Sequence, residues 1–136
     1  MTKKTTLIAL ILTALVIAGV ALFLSLTPDD GIMSHKGGVY TVNTTKLTPK
    51  VRGYAGAVPL EVTISGDKIQ AIKALPNRET PDFFGSAKNK VFAQYKGKTV
   101  KQALAAQPDV ASGATYSSRA IIANVQAALK YYQEHK

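Results

Sequence analysis

Leu60-Glu61-Val62-Thr63-Ile64-Ser65-Gly66-Asp67-Lys68-Ile69-Gln70-Ala71-Ile72 is the stretch that decides the fold. Leu60, Val62 and Ile64 alternate with Glu61, Thr63 and Ser65, a period of two that predicts a half-buried strand. Gly66-Asp67 is a two-residue turn of hairpin type, and Lys68 to Leu75 forms the return strand. Ile69 and Ile72 stand three apart rather than two, which predicts a bulge near Ala71. Val39 to Val42 adds a short first strand, and the small-residue run Gly53 to Val58 leads into the hairpin. After Arg78 the pattern turns helical. Thr80 is the expected N-cap and Pro81 the first helical residue. The helix that follows reaches the Val91-Phe92 region, buries Phe83 or Phe84, and is weakened or split at Gly85. A second short helix is expected over Thr99 to Ala106, ending before Pro108. A third runs from about Ser117 to the end. Its apolar stripe is Ile121, Val125, Ala128 and Tyr132, widened by Ile122 and Leu129, and Lys130, Glu134 and Lys136 stay in water. Strands gathered early and helices late predict an α+β domain, a small antiparallel sheet with helices packed on it.

The amino-terminal region has a different character. Leu7 to Leu26 carries no charge and no proline over 20 residues. As a helix it spans roughly 30 Å, about the hydrocarbon thickness of a bilayer. Lys3 and Lys4 precede it and Asp29 and Asp30 follow. The positive-inside tendency then places the start of the chain in the cytoplasm and everything after Thr27 outside. A cleaved signal peptide competes with this reading. The run is longer than a usual signal core, and Ser25-Leu26-Thr27-Pro28 lacks an Ala-x-Ala-like site, so an uncleaved transmembrane anchor is expected. The organisation that follows is residues 1–27 as cytoplasmic start and anchor, 28–38 as a linker without apolar period, and 39–136 as one domain.

The formal net charge is +9, and the chain has no cysteine. Disulfides, thiolate metal sites and cysteine nucleophiles are therefore excluded. The lysines are scattered and not interleaved with aromatics, which argues against nucleic acid. A basic surface beside anionic headgroups or an acidic redox partner fits the charge, as does a plain solvated surface. His35 and His135 have no neighbour at ligand spacing, so no metal site is expected.

The segment Ser112-Gly113-Ala114-Thr115-Tyr116-Ser117-Ser118, with Asp109 three positions ahead of it, opens the last helix. Read alone, a hydroxyl-rich start of this kind is an ordinary helix cap. It is also a place where unpaired backbone N–H groups attract phosphate. As Asp-x-x-Ser-Gly-Ala-Thr, the segment resembles the flavinylation motif of the FMN-binding domain family, found in subunits of membrane redox pumps. The resemblance extends over residues 53–130 in order. Gly53-Tyr54-Ala55-Gly56 precedes the hairpin, Glu79-Thr80-Pro81 follows it, and Ala120-Ile121-Ile122, Val125 and Ala128-Leu129 match the helix after the motif. The chain departs from the family at Asp82, where glycine is usual.

The resemblance implies FMN joined to Thr115 through a phosphoester bond. Gly113 then allows close approach of the backbone, and Ala114 leaves room for the flavin transferase that performs the attachment. The amides of Tyr116 to Ser118, with the Ser117 and Ser118 hydroxyls, are expected on phosphate oxygens. Asp109 and Ser112 match the transferase's recognition positions, and Glu79 and Thr80 are expected near the flavin ring. Tyr116 is expected either against the ring or in the core. The function implied is a membrane-anchored extracytoplasmic electron carrier that exchanges electrons with a membrane or extracytoplasmic redox protein, rather than a stand-alone enzyme. An accessory or assembly subunit of a redox complex, and a flavin-free binding module of the same fold, are the alternatives.

Overall fold

The computed structural model describes residues 30–136. The apolar run Leu7–Leu26 lies outside the described residues, and among these no helix is long and apolar enough to cross a membrane. Four strands form one antiparallel sheet in sequence order: β1 (Met33–Lys36), β2 (Val39–Asn43), β3 (Leu60–Ser65) and β4 (Lys68–Ala74). Three helices follow: α1 (Pro81–Tyr95), α2 (Val100–Ala105) and α3 (Thr115–His135). The α+β class with helices against an antiparallel sheet is the expected one.

β1 corrects the linker expected over residues 28–38. Its residues pair with β2 from Met33↔Val42 to Lys36↔Val39, through a turn in which Gly37 and Gly38 have φ of +59° and +79°. Those values suit a tight hairpin that matches strand twist. The strand is an edge whose side chains are mostly exposed, so it carries no apolar alternation to read.

The β3–β4 hairpin is as expected. Leu60, Val62 and Ile64 are fully buried while the residues between them are half-buried. The pairing passes from Thr63↔Ala71 to Ile64↔Ile69, so Gln70 is the extra, bulged residue. The bulge explains the spacing of three. It returns Ile69 to the face of Ile64 while Ile72 stays opposite Val62, so both isoleucines point to the core.

α1 begins at Pro81 with Thr80 in an extended N-cap conformation and runs unbroken through Gly85. Phe84, Ala87, Val91 and Tyr95 form its buried stripe, and Phe83 faces outward. α2 carries a complete capping box between Thr99 and Gln102. α3 starts two residues earlier than expected, at Thr115. The Ser118 hydroxyl bonds back to the loop ahead of the helix, and no side chain caps Ala114. α3 buries Ile121, Val125, Ala128, Leu129 and Tyr132 with the sheet and α1. It also buries Asn124, whose amide donates to the Ala120 carbonyl at 2.9 Å and accepts from the Thr48 hydroxyl. Among the described residues no buried side-chain polar atom lacks a partner.

The last turns of α3 are tied down by two tyrosines. The Tyr131 hydroxyl bonds to Asp30, which also accepts from the Ile32 and Met33 amides at 2.8 Å. That phenol and the two amides hold the Asp30 carboxyl down to about 2. The Tyr132 hydroxyl donates to Asp67 in the hairpin turn, where Lys136 pairs with the same oxygen at 3.2 Å. Burial, then the bond to Asp67, pushes the Tyr132 phenol up to about 12. A phenol raised in the fold adds stability below its unfolded value near 10, and the contribution is lost as pH rises toward 12. In an alkaline absorbance titration, Tyr132 is expected to ionise well above the ordinary range of a free phenol. Tyr132→Phe should remove that late step and flatten the loss of stability between about pH 10 and 12. Tyr95, also raised by burial, should remain as a late phenol in that variant.

Candidate functional site

Three segments meet at the start of α3. The first is loop 52–57, closed by a bridge between Arg52 and Ala57 and by the Gly53 amide donating to the Gly56 carbonyl at 2.7 Å. The second is the turn into α1. There the Asn77 side chain accepts from the Glu79 amide and donates to the Leu75 carbonyl, both at 3.0 Å. The third is the turn Ala111–Ala114, which Gly113 enables with a φ of +79°.

Glu79 joins the first two to the opening turn of α3. Its carboxylate is buried and accepts from the Tyr54 amide at 2.8 Å, from the Ala55 amide, and from the Ser117 hydroxyl at 2.8 Å. A buried carboxylate is tolerated when its oxygens are satisfied in this way. Glycine at 53 is required for it. A Cβ there would lie 2.0 Å from Glu79 Oε1 and 2.8 Å from its Cδ. The Ser118 hydroxyl closes the third segment, accepting from the Ala111 amide at 3.0 Å and donating to the Ala114 carbonyl at 2.8 Å. Further upstream, Gln94 of α1 grips the backbone of Asp109 at both its amide (2.8 Å) and carbonyl (2.9 Å), leaving the Asp109 side chain exposed.

Between the segments lies an open cleft of about 250 Å³. Thr115 sits on its wall at the first position of α3, half-buried, with no recorded partner for its hydroxyl. The first backbone bond of the helix runs from the Ser118 amide to the Ala114 carbonyl at 3.0 Å. The amides of Thr115, Tyr116 and Ser117 are therefore left for a ligand, at the positive end of the helix. Three aromatic rings border the same cleft with most of their surface in water: Tyr54 at 78%, Phe83 at 57% and Tyr116 at 67%. No lining side chain is a carboxylate, imidazole or amine.

Of the residues expected at a site, Thr80, Gly113, Ala114, Thr115, Tyr116 and Ser117 line the cleft together. Glu79 stands behind the Tyr54 loop, Ser118 is turned into the interior, and Ser112 lies exposed in the turn. The Ser117 and Ser118 hydroxyls are both committed inside the protein, which leaves the amides as the donors on offer. Tyr54 of the loop was legible only as part of Gly53-Tyr54-Ala55-Gly56, and Phe83 only as half of a pair of which one is buried. The available signal was a large aromatic in a run of small residues. The arrangement can hold a flat aromatic system against exposed rings while its anionic tail meets amides and a hydroxyl.

Comparison with known proteins agrees with this chemistry. The family model described as FMN-binding domain matches residues 53–130, more than half of the chain. No curated protein matches the chain.

Proposed function

The chain belongs to the FMN-binding domain family, and from that membership and the cleft we propose that it is a membrane-anchored electron carrier with FMN linked to Thr115 by a phosphoester bond. The observation that carries this reading is the position of Thr115, an unpartnered hydroxyl at a helix start, on a cleft walled by three exposed aromatic rings. Exposed rings are costly to leave in water, and a planar cofactor covers them. When bound, FMN supplies the one- and two-electron chemistry. The chain's own residues do the rest. The helix-start amides would hold the phosphate, and Glu79 fixes the loop that carries Tyr54. The exposed rings of Tyr54, Phe83 and Tyr116 would offer apolar faces to the isoalloxazine. With no general base lining the cleft, the Thr115 proton has no acceptor there, so attachment depends on a flavin transferase. The exposed Asp109 and Ser112 are in reach of such an enzyme.

Residues 1–27 anchor the protein in the cytoplasmic membrane in a single pass, with the domain on the extracytoplasmic side. Its electrons pass to and from a membrane or extracytoplasmic redox protein. The test is production of the full chain with and without a flavin transferase. With the enzyme, a fluorescent band should survive a denaturing gel and the mass should rise by roughly 438 Da, that of FMN less one water. A colourless chain of unaltered mass would refute the covalent reading.

The ring contacts are tested separately in the Thr115→Ala chain, where FMN binds reversibly. Tyr54→Ala and Phe83→Ala should each weaken that binding about fivefold to tenfold, the loss of about 1 kcal/mol of stacking, measured by flavin fluorescence.

A further inference from the structure

Loop 52–57 also borders a second pocket of about 320 Å³, which Arg52 and Arg78 both line. The two arginines arrive from different segments, one at the base of the loop and one just ahead of Glu79. Both are exposed. Arg52 folds over the loop, with Nη2 3.9 Å from where a Cβ on Gly56 would stand. Pro59, Pro76 and the small residues of the loop form the walls, and Asn77 is the only other polar side chain there. No acidic residue lines the pocket. The nearest in sequence, Glu79, is buried and spends its oxygens on Tyr54, Ala55 and Ser117. Among the described residues neither arginine has an ion-pair partner, and the recorded ion pair, Lys136–Asp67, lies at the opposite end of the β3–β4 hairpin.

We propose that Arg52 and Arg78 form a binding pocket for an oxyanion, a phosphate or carboxylate group, separate from the Thr115 cleft. Guanidinium forks match both groups with paired hydrogen bonds, and two of them facing one concavity without a carboxylate leave a charge that an anion compensates. The apolar walls suit a ligand whose anionic group sits on a small body. The pocket shares its loop with the cleft, so an anion held by Arg52 and Arg78 is stationed beside Tyr54. The proposal stands on these residues alone and does not require the flavin.

Calorimetric titration of the full chain in detergent, at low salt, with inorganic pyrophosphate and with hexaglutamate tests it. Saturable binding of at least one probe is expected, weakened about tenfold by R52Q or by R78Q and abolished in the double variant, with K90Q as a charge control that leaves it unchanged. Pyrophosphate alone binding identifies a soluble phosphate compound as the source. Hexaglutamate binding in competition with it identifies acidic side chains of a protein. An unchanged melting temperature establishes that the arginine variants fold. Absence of saturation with both probes, or an equal loss in K90Q, would overturn the pocket and leave only a diffuse positive field.

Discussion

Thr115→Ala is expected to give a chain that folds normally, reaches the membrane and carries no flavin through denaturation. The loss should be complete, because Thr115 is the hydroxyl that opens α3 on the cleft wall. The Ser117 and Ser118 hydroxyls are committed to Glu79 and to Ala114, and Ser112 is outside the cleft. The cost to folding should be under about 0.5 kcal/mol, since the Thr115 hydroxyl makes no recorded bond and alanine is the better helix former. Thr115→Ser keeps an oxygen at the same helix position and should retain attachment. Ser112→Ala should retain the hydroxyl at 115 and lose only transferase efficiency. A gel in which the Thr115→Ala band still fluoresces would move the linkage elsewhere.

The second large effect concerns stability. Gly53→Ala places a methyl group 2.0 Å from Glu79 Oε1, in contact with the far end of a side chain that is itself held by three donors. The carboxylate has to withdraw, and the Tyr54 and Ala55 amides and the Ser117 hydroxyl lose their acceptor. A cost of about 2–3 kcal/mol is expected, the range for overpacking and for stranded polar groups. Glu79→Ala should cost about as much by a different route, since it vacates the acceptor but also removes the clash. The two changes are therefore coupled. Gly53→Ala introduced into the Glu79→Ala chain should cost at least 1 kcal/mol less than in the parent, read from denaturant unfolding as a double-mutant cycle. Additive costs would show that the glycine answers to something other than the carboxylate. Glu79→Gln should fall between, because the amide keeps an oxygen for Tyr54 and Ser117 and presents a donor to Ala55.

The hairpin was readable because one of its faces is dry. Burial of Leu60, Val62 and Ile64 imposes a period of two, and the misplaced spacing of Ile69 and Ile72 announced the bulge now seen at Gln70. α1 was readable from its start at Thr80-Pro81, and α2 from its stop ahead of Pro108; the Thr99–Gln102 box that opens α2 emerged only in the structure. β1 was not readable. An edge strand held by backbone bonds and a Gly37-Gly38 turn has no apolar face to reveal it. At the site, residues close in sequence were recovered because a motif is local, and Thr115 and its neighbours do share one cleft. The Glu79 clamp was beyond reach for the opposite reason. It depends on Gly53, Tyr54, Ala55 and Ser117, contacts spanning up to 38 positions, and nothing in a single stretch encodes a carboxylate turned inward. Ser117 and Ser118 illustrate the same limit: adjacent hydroxyls of one motif face different partners, and the helix rotation between them decides which.

α3 acts as a spacer with one business end. Thr115 opens it, and near its close Tyr131 grips Asp30, the first described residue. Sixteen steps along a helix separate those two points by roughly 24 Å. With residues 1–27 seated in a bilayer as proposed, the chain would enter the domain at the end of α3 farthest from Thr115. On the proposed reading, a flavin carried at Thr115 would stand a helix length from that entry, and a redox partner would meet it there.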